Sequence, residues 1–133
     1  MAADQLTLWD AVASQLQGQS GQRPSLGGNT TIGVIATDAV LTKTQATRLA
    51  QAGHDGLARS IRPVHTAFDG DTVFALATGE GPAPSPLDLV VLQTEAARCV
   101  TRAIVSAMLA ATSVDRSADG GAVLRSYRDA LVG

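Results

Sequence analysis

The chain has 133 residues, 45% hydrophobic and 17% charged, a balance that fits one folded domain and excludes a disordered segment. A formal charge of -2 without any Lys/Arg cluster leaves no footprint for nucleic acid, and the single cysteine excludes an internal disulfide or a multi-cysteine zinc site. No stretch has the form of a signal peptide or a transmembrane span, so no membrane partner is expected and the expected location is cytoplasmic.

In chain order, Leu6, Trp9, Val12, Ala13 and Leu16 fall at helical spacing and predict a short amphipathic helix over 6–17. Gly18 to Gly28, rich in Gly, Gln and Ser, reads as a linker, so residues 1–29 form a leader and 30–133 the domain proper. The β-branched, continuously apolar run from Thr30 to Thr37 predicts a strand buried on both sides. Asp38-Ala39 turns the chain, and Thr42-Lys43-Thr44-Gln45 has the pattern of a capping box, opening a helix to about Arg59 with Ala46, Leu49, Ala50 and Leu57 inward. Gly53 and Gly56 weaken that helix, by up to about 1 kcal/mol each relative to Ala, and imply that another backbone packs close.

Pro63 to Ala67 reads as a connection, Asp69-Gly70-Asp71 as a turn, and Thr72 to Thr78 as a second buried strand. Three prolines between Pro82 and Pro86 make a loop. Ser85 as N-cap, Pro86 at the first helical position and Asp88 in the first turn then start a long helix, expected to run to about Ala111 or Thr112 and to be covered from more than one side. Cys99 on this helix reads as a buried, inert thiol. Ser117 to Gly121 breaks the pattern, and Leu124 to Leu131 predicts a last short helix. The order is α/β (α+β) in class. Two strands cannot satisfy their own edges or bury both faces. Either further strands lie elsewhere in the chain, or it completes a larger sheet supplied by another polypeptide, and the second is favoured.

No phosphate-binding glycine loop, nucleophile elbow or paired metal-ligand histidines occur, so neither cofactor nor metal is expected. His54 reads as a helix-surface residue and His65 as a loop residue, both structural. Thr30 and the carboxylates remain. Cutting the Asn29-Thr30 bond would place an α-amine on the residue that carries a hydroxyl, which joins base and nucleophile in one amino acid. A free α-amine titrates near pH 8, a useful value for such a base. Asp69 and Asp71, at the start of the second strand, would reach this neighbourhood if the two strands are adjacent; otherwise they form only a turn.

Three segments carry a resemblance: Thr30 to Ala39, Gln51 to Arg59, and Pro63-Val-His-Thr-Ala-Phe-Asp-Gly-Asp-Thr-Val-Phe-Ala-Leu-Ala-Thr-Gly79. Over about residues 29–112 the chain resembles the L-aminopeptidase/D-esterase (DmpA-like) family, which includes β-peptidyl aminopeptidases and the nylon-oligomer hydrolase. The resemblance implies an αββα sandwich of N-terminal-nucleophile type, built from an α-chain and a β-chain that arise by self-cleavage, with this chain as the C-terminal half. It implies Thr30 as nucleophile, Asn29-Thr30 as the processing site, and Asp69 and Asp71 as assisting residues, with the Thr-nucleophile, nylon-oligomer branch the nearest at these positions. The family's remaining site residues, a tyrosine, an asparagine and in some members a lysine, belong to the α-chain, which 29 leading residues cannot supply. The expected partners are therefore an α-chain or further copies of this chain, and the expected substrate is a small peptide, amide or ester. The alternatives are a non-catalytic, truncated β-half that acts only in folding or assembly, and a small-ligand binding module.

Overall fold

The computed structural model describes residues 30–132, so the expected leader helix, the linker and Asn29 lie outside the described residues. The elements are β1 (Ile32–Thr37), α1 (Lys43–Ser60), β2 (Thr72–Ala77), α2 (Pro86–Ala110), β3 (Val114–Asp115), a 3-10 turn (Ser117–Asp119), β4 (Val123–Leu124) and α3 (Tyr127–Val132). β1 and β2 pair in parallel, Ile32 opposite Thr72 and Thr37 opposite Ala77, with α1 as the crossover between them. Parallel strands need such a crossover because no tight turn can return the chain to the same end.

Both helices start as the local chemistry requires. Thr42 caps α1 in a reciprocal box with Gln45, and Ser85 caps α2 in the same way with Asp88, with Pro86 at the first position. Each box satisfies two backbone donors that a helix start leaves open. α1 ends one residue beyond the expected Arg59, at Ser60. α2 ends at Ala110, because Ala111 turns to an extended conformation.

α1 and α2 cover one face of the sheet, and the core between them holds Ile35, Val73, Leu49, Leu57 and Ala96, edged by Leu92, Val100 and Ile104. Burying one such aliphatic side chain contributes about 1.5–3 kcal/mol. The helices meet where glycine removes the side chain: a Cβ on Gly56 would stand 2.5 Å from the Ala97 carbonyl oxygen and 2.7 Å from Val100 Cβ. The close backbone approach expected from this glycine is thus present. At Gly53 the near neighbours are side chains instead, Ile35 Cδ1 at 2.7 Å and Val73 Cγ1 at 2.8 Å.

Four expectations are corrected. Among the described residues the strands are covered on one side only: Ile32, Val34, Phe74 and Leu76 point to the opposite face and are 69%, 65%, 54% and 57% exposed. A continuous apolar run does not reveal which face is covered, and here the helices cover only one. Cys99 is exposed rather than buried, because α2 turns Ala96 and Ala97 into the core. For the same reason α2 is not covered all round among the described residues, and Leu87, Val90, Val91 and Met108 are exposed. Finally, the break at Ser117 lies in a small antiparallel hairpin, Val114 opposite Leu124, which forms a separate two-stranded sheet and takes Leu124 out of the expected last helix.

Candidate active site

The parallel register places the start of β2 beside the start of β1, and this brings the carboxylates to the chain leaving Thr30. Thr31 is held at both backbone groups. Its carbonyl accepts from Thr72 N–H at 2.9 Å, the first rung of the sheet, and its N–H donates to Asp71 Oδ1 at 3.0 Å. Thr30 is the next residue out and is exposed. Thr31, Thr66, Asp69 and Asp71 share a cleft of about 250 Å³ whose apolar wall is Ile61, Pro63 and Val64. The structure therefore brings Asp69 and Asp71 to one cleft next to Thr30, as strand adjacency required.

The two aspartates differ in what they hold. Asp69 Oδ2 accepts from Thr66 N–H at 2.7 Å while Asp69 N–H donates to the Thr66 carbonyl at 3.1 Å, which closes the loop on itself. Asp71 reaches outward to two other segments. Besides Oδ1 on Thr31, just before β1, its Oδ2 pairs with His65 Nδ1 at 2.8 Å. The Asp71 side chain is 5% exposed. Burial pushes its carboxyl up, but the Thr31 N–H, and then the hydrogen bond and electrostatic pull of His65, outweigh this and hold it below the ordinary 3.8. Asp71 is thus kept ionised as a fixed acceptor.

His65 is the residue that sequence reasoning missed. Read as a plain loop residue, it lies on the carboxylate, and its ring also meets that of His54 on α1, with centroids 4.9 Å apart. His54 is accordingly half-buried, not a free surface residue. The available signal was the six-residue spacing from His65 to Asp71 within one matched segment. Among the described residues, no group of three or more His, Cys, Asp or Glu side chains is placed to hold a metal, and no helix is long and apolar enough to cross a membrane.

The profile of peptidase family S58 matches residues 2–120. This chain belongs to peptidase family S58. The match takes in the Thr30 junction, the cleft, α1 and α2. Among relatives, an uncharacterized aminopeptidase of Mycobacterium leprae is 54% identical over 97 residues, covering 65% of this chain and 27% of the relative. One of Mycobacterium tuberculosis is 45% identical over 116 residues, covering 79% of this chain and 32% of its own length. A 6-aminohexanoate-oligomer endohydrolase of Paenarthrobacter ureafaciens is 42% identical over 53 residues, 40% of this chain and 15% of the enzyme. This S58 chain thus spans about a third or less of the length of these relatives.

Proposed function

We propose that this chain is the nucleophile-bearing part of a self-processing S58 aminopeptidase or amidohydrolase, with Thr30 as nucleophile and Asn29-Thr30 as the processing bond. The observation that carries the reading is the grip of Asp71 and Thr72 on Thr31, which fixes the residue next to Thr30 at the rim of a cleft lined by carboxylates. Family membership and the aminopeptidase and oligomer-hydrolase relatives supply the reaction class.

In the mature form the α-amine of Thr30 takes the hydroxyl proton as Oγ1 attacks the substrate carbonyl carbon. The tetrahedral intermediate collapses, the amine or alcohol leaves with that proton, and an ester to Thr30 remains. Water then attacks the ester, passes its proton to the α-amine, and releases the acid and the free hydroxyl. Processing uses the same hydroxyl on the Asn29 carbonyl. The acyl group shifts from nitrogen to oxygen, the peptide C–N bond breaks, and water hydrolyses the ester. In this scheme Asp71, held ionised and occupied on both oxygens, orients rather than accepts protons.

The donors for the oxyanion would come from a partner α-chain, worth about 2.7–4 kcal/mol per donor in comparable sites. The exposed apolar face of β1 and β2 supports such a partner, since a second layer over it would complete an αββα sandwich. The test is co-expression with the amino-terminal portion of an S58 relative, followed by intact-mass analysis and turnover of aminoacyl p-nitroanilides. Loss of residues 1–29 with turnover is expected, and Thr30→Ala should abolish both. An uncut chain with undiminished turnover overturns the reading.

A further inference from the structure

We infer that His65 is a positioning residue of this site: by holding Asp71 Oδ2 it keeps Oδ1 on the Thr31 N–H and so sets where Thr30 stands. The catalytic consequence rests on the reading of Thr30 as nucleophile; the clamp itself does not.

The geometry is a relay of three segments. His65 lies in the loop after α1, Asp71 at the entry to β2 and Thr31 at the entry to β1, at successive distances of 2.8 and 3.0 Å. A carboxylate tied at one oxygen can swing about its terminal torsion, which is broad and roughly two-fold. Tied at both oxygens, it has one orientation. The imidazole is itself held, because His54 packs a ring against it from α1 at a 59° tilt. Donation to a carboxylate selects the tautomer with the proton on Nδ1. The other titratable group of the cleft, Asp69, is engaged with Thr66.

The backbone supplies a second, independent observation. His65 has φ 54, the left-handed region, which disfavours side chains with a Cβ. A loop that needed only this turn would be better served by glycine. A side chain kept there, with its ring nitrogen on a buried carboxylate, points to a demand for the ring.

Two substitutions separate the roles. His65→Gly suits the turn and removes the donor. His65→Asn also tolerates left-handed backbone and offers an amide N–H close to where Nδ1 stands. In the 133-residue chain, NMR-detected hydrogen exchange at the Thr31 amide should speed up by about tenfold in His65→Gly, while His65→Asn stays within about threefold of the parent. Thermal melts confirm that both fold. With the amino-terminal partner supplied, His65→Gly should slow appearance of the chain lacking residues 1–29 by a similar factor, and His65→Asn should recover most of the rate.

Unchanged Thr31 exchange in folded His65→Gly overturns the inference, as does His65→Asn behaving like His65→Gly. If the exchange pattern holds while the parent chain never cleaves or turns over, the positioning role stands and the proposed activity falls. If the parent cleaves and His65→Gly matches it in both measurements, the activity stands and the positioning role falls.

Discussion

A carboxylate with both oxygens engaged and its proton affinity lowered is a poor base, and Asp71 is in that position, between Thr31 and His65. Its contribution to stability has a definite sign. The folded carboxyl titrates below its ordinary 3.8, so the contribution is complete above that value and is lost as pH falls from there through the lower folded value. Asp88, Asp115 and Asp129 are shifted the same way by their serine partners, so the acid limb of the whole chain mixes several groups. Comparison with Asp71→Asn isolates one of them. At neutral pH that variant should lose about 1 kcal/mol in urea melts, roughly the difference between a neutral hydrogen bond and one to a charged group. The difference from the parent should shrink below about pH 4. Parallel stability curves for the two proteins across that range would remove the charge from the account. At this scale the sequence showed the presence of Thr30, Asp69 and Asp71 but not their division of labour. Asp69 secures its own loop and Asp71 reaches across to β1, a difference decided by backbone direction rather than by residue type. The His65 contact was hidden for the same reason, since it depends on a left-handed backbone at that residue.

Among the elements, α1 carries the contact that most restricts substitution. Helix propensity alone favours Gly56→Ala by about 1 kcal/mol. The Ala97 carbonyl oxygen, 2.5 Å from where the new Cβ would stand, argues for the opposite sign, because a backbone atom cannot swing aside. Overpacking of this kind costs about 1–3 kcal/mol, so Gly56→Ala should lower the melting temperature and Gly53→Ala, which meets side chains, should lower it less. A rise in melting temperature for Gly56→Ala would show that the helices can separate freely. Features set by a few neighbouring residues were legible in advance: the Thr42–Gln45 box, the Ser85-Pro86-Asp88 start and the close approach at Gly56. The hairpin of β3 and β4 was not, since two-residue strands have no periodicity to read. Nor was the placement of Cys99, which depends on how α2 is rotated onto α1.

For the molecule as a whole, the one-sided sheet is the main fact. Among the described residues β1 has a strand neighbour only in β2, and a groove of about 540 Å³ runs along its other side to α2, lined by Leu92, Val100 and Ile104. Together with Ile32, Val34, Phe74 and Leu76 this leaves much apolar surface open. Surfaces of that kind are where proteins meet other proteins, membranes or ligands, and under the proposed function this one would take the partner α-chain. Replacing Val34 and Phe74 with glutamate should leave the melting temperature of the chain nearly unchanged, because both side chains are already exposed. Co-purification with the amino-terminal portion of a relative should fall sharply, since each buried side chain contributes about 1.5–3 kcal/mol to such a contact. Recovery of an intact complex from the double variant would place the partner elsewhere.

The double hold on Thr31 has a further consequence for a chain cut before Thr30. A new chain end ordinarily frays, and its first residues sample many directions. Here the second residue would already be bolted to the sheet by its amide and its carbonyl. The freed amine could then sweep only the arc allowed by the torsions of a single residue, and a β-branched one at that. Proximity between amine, hydroxyl and cleft would be inherited from the uncut chain, with the ordering entropy met during folding and not again at each turnover.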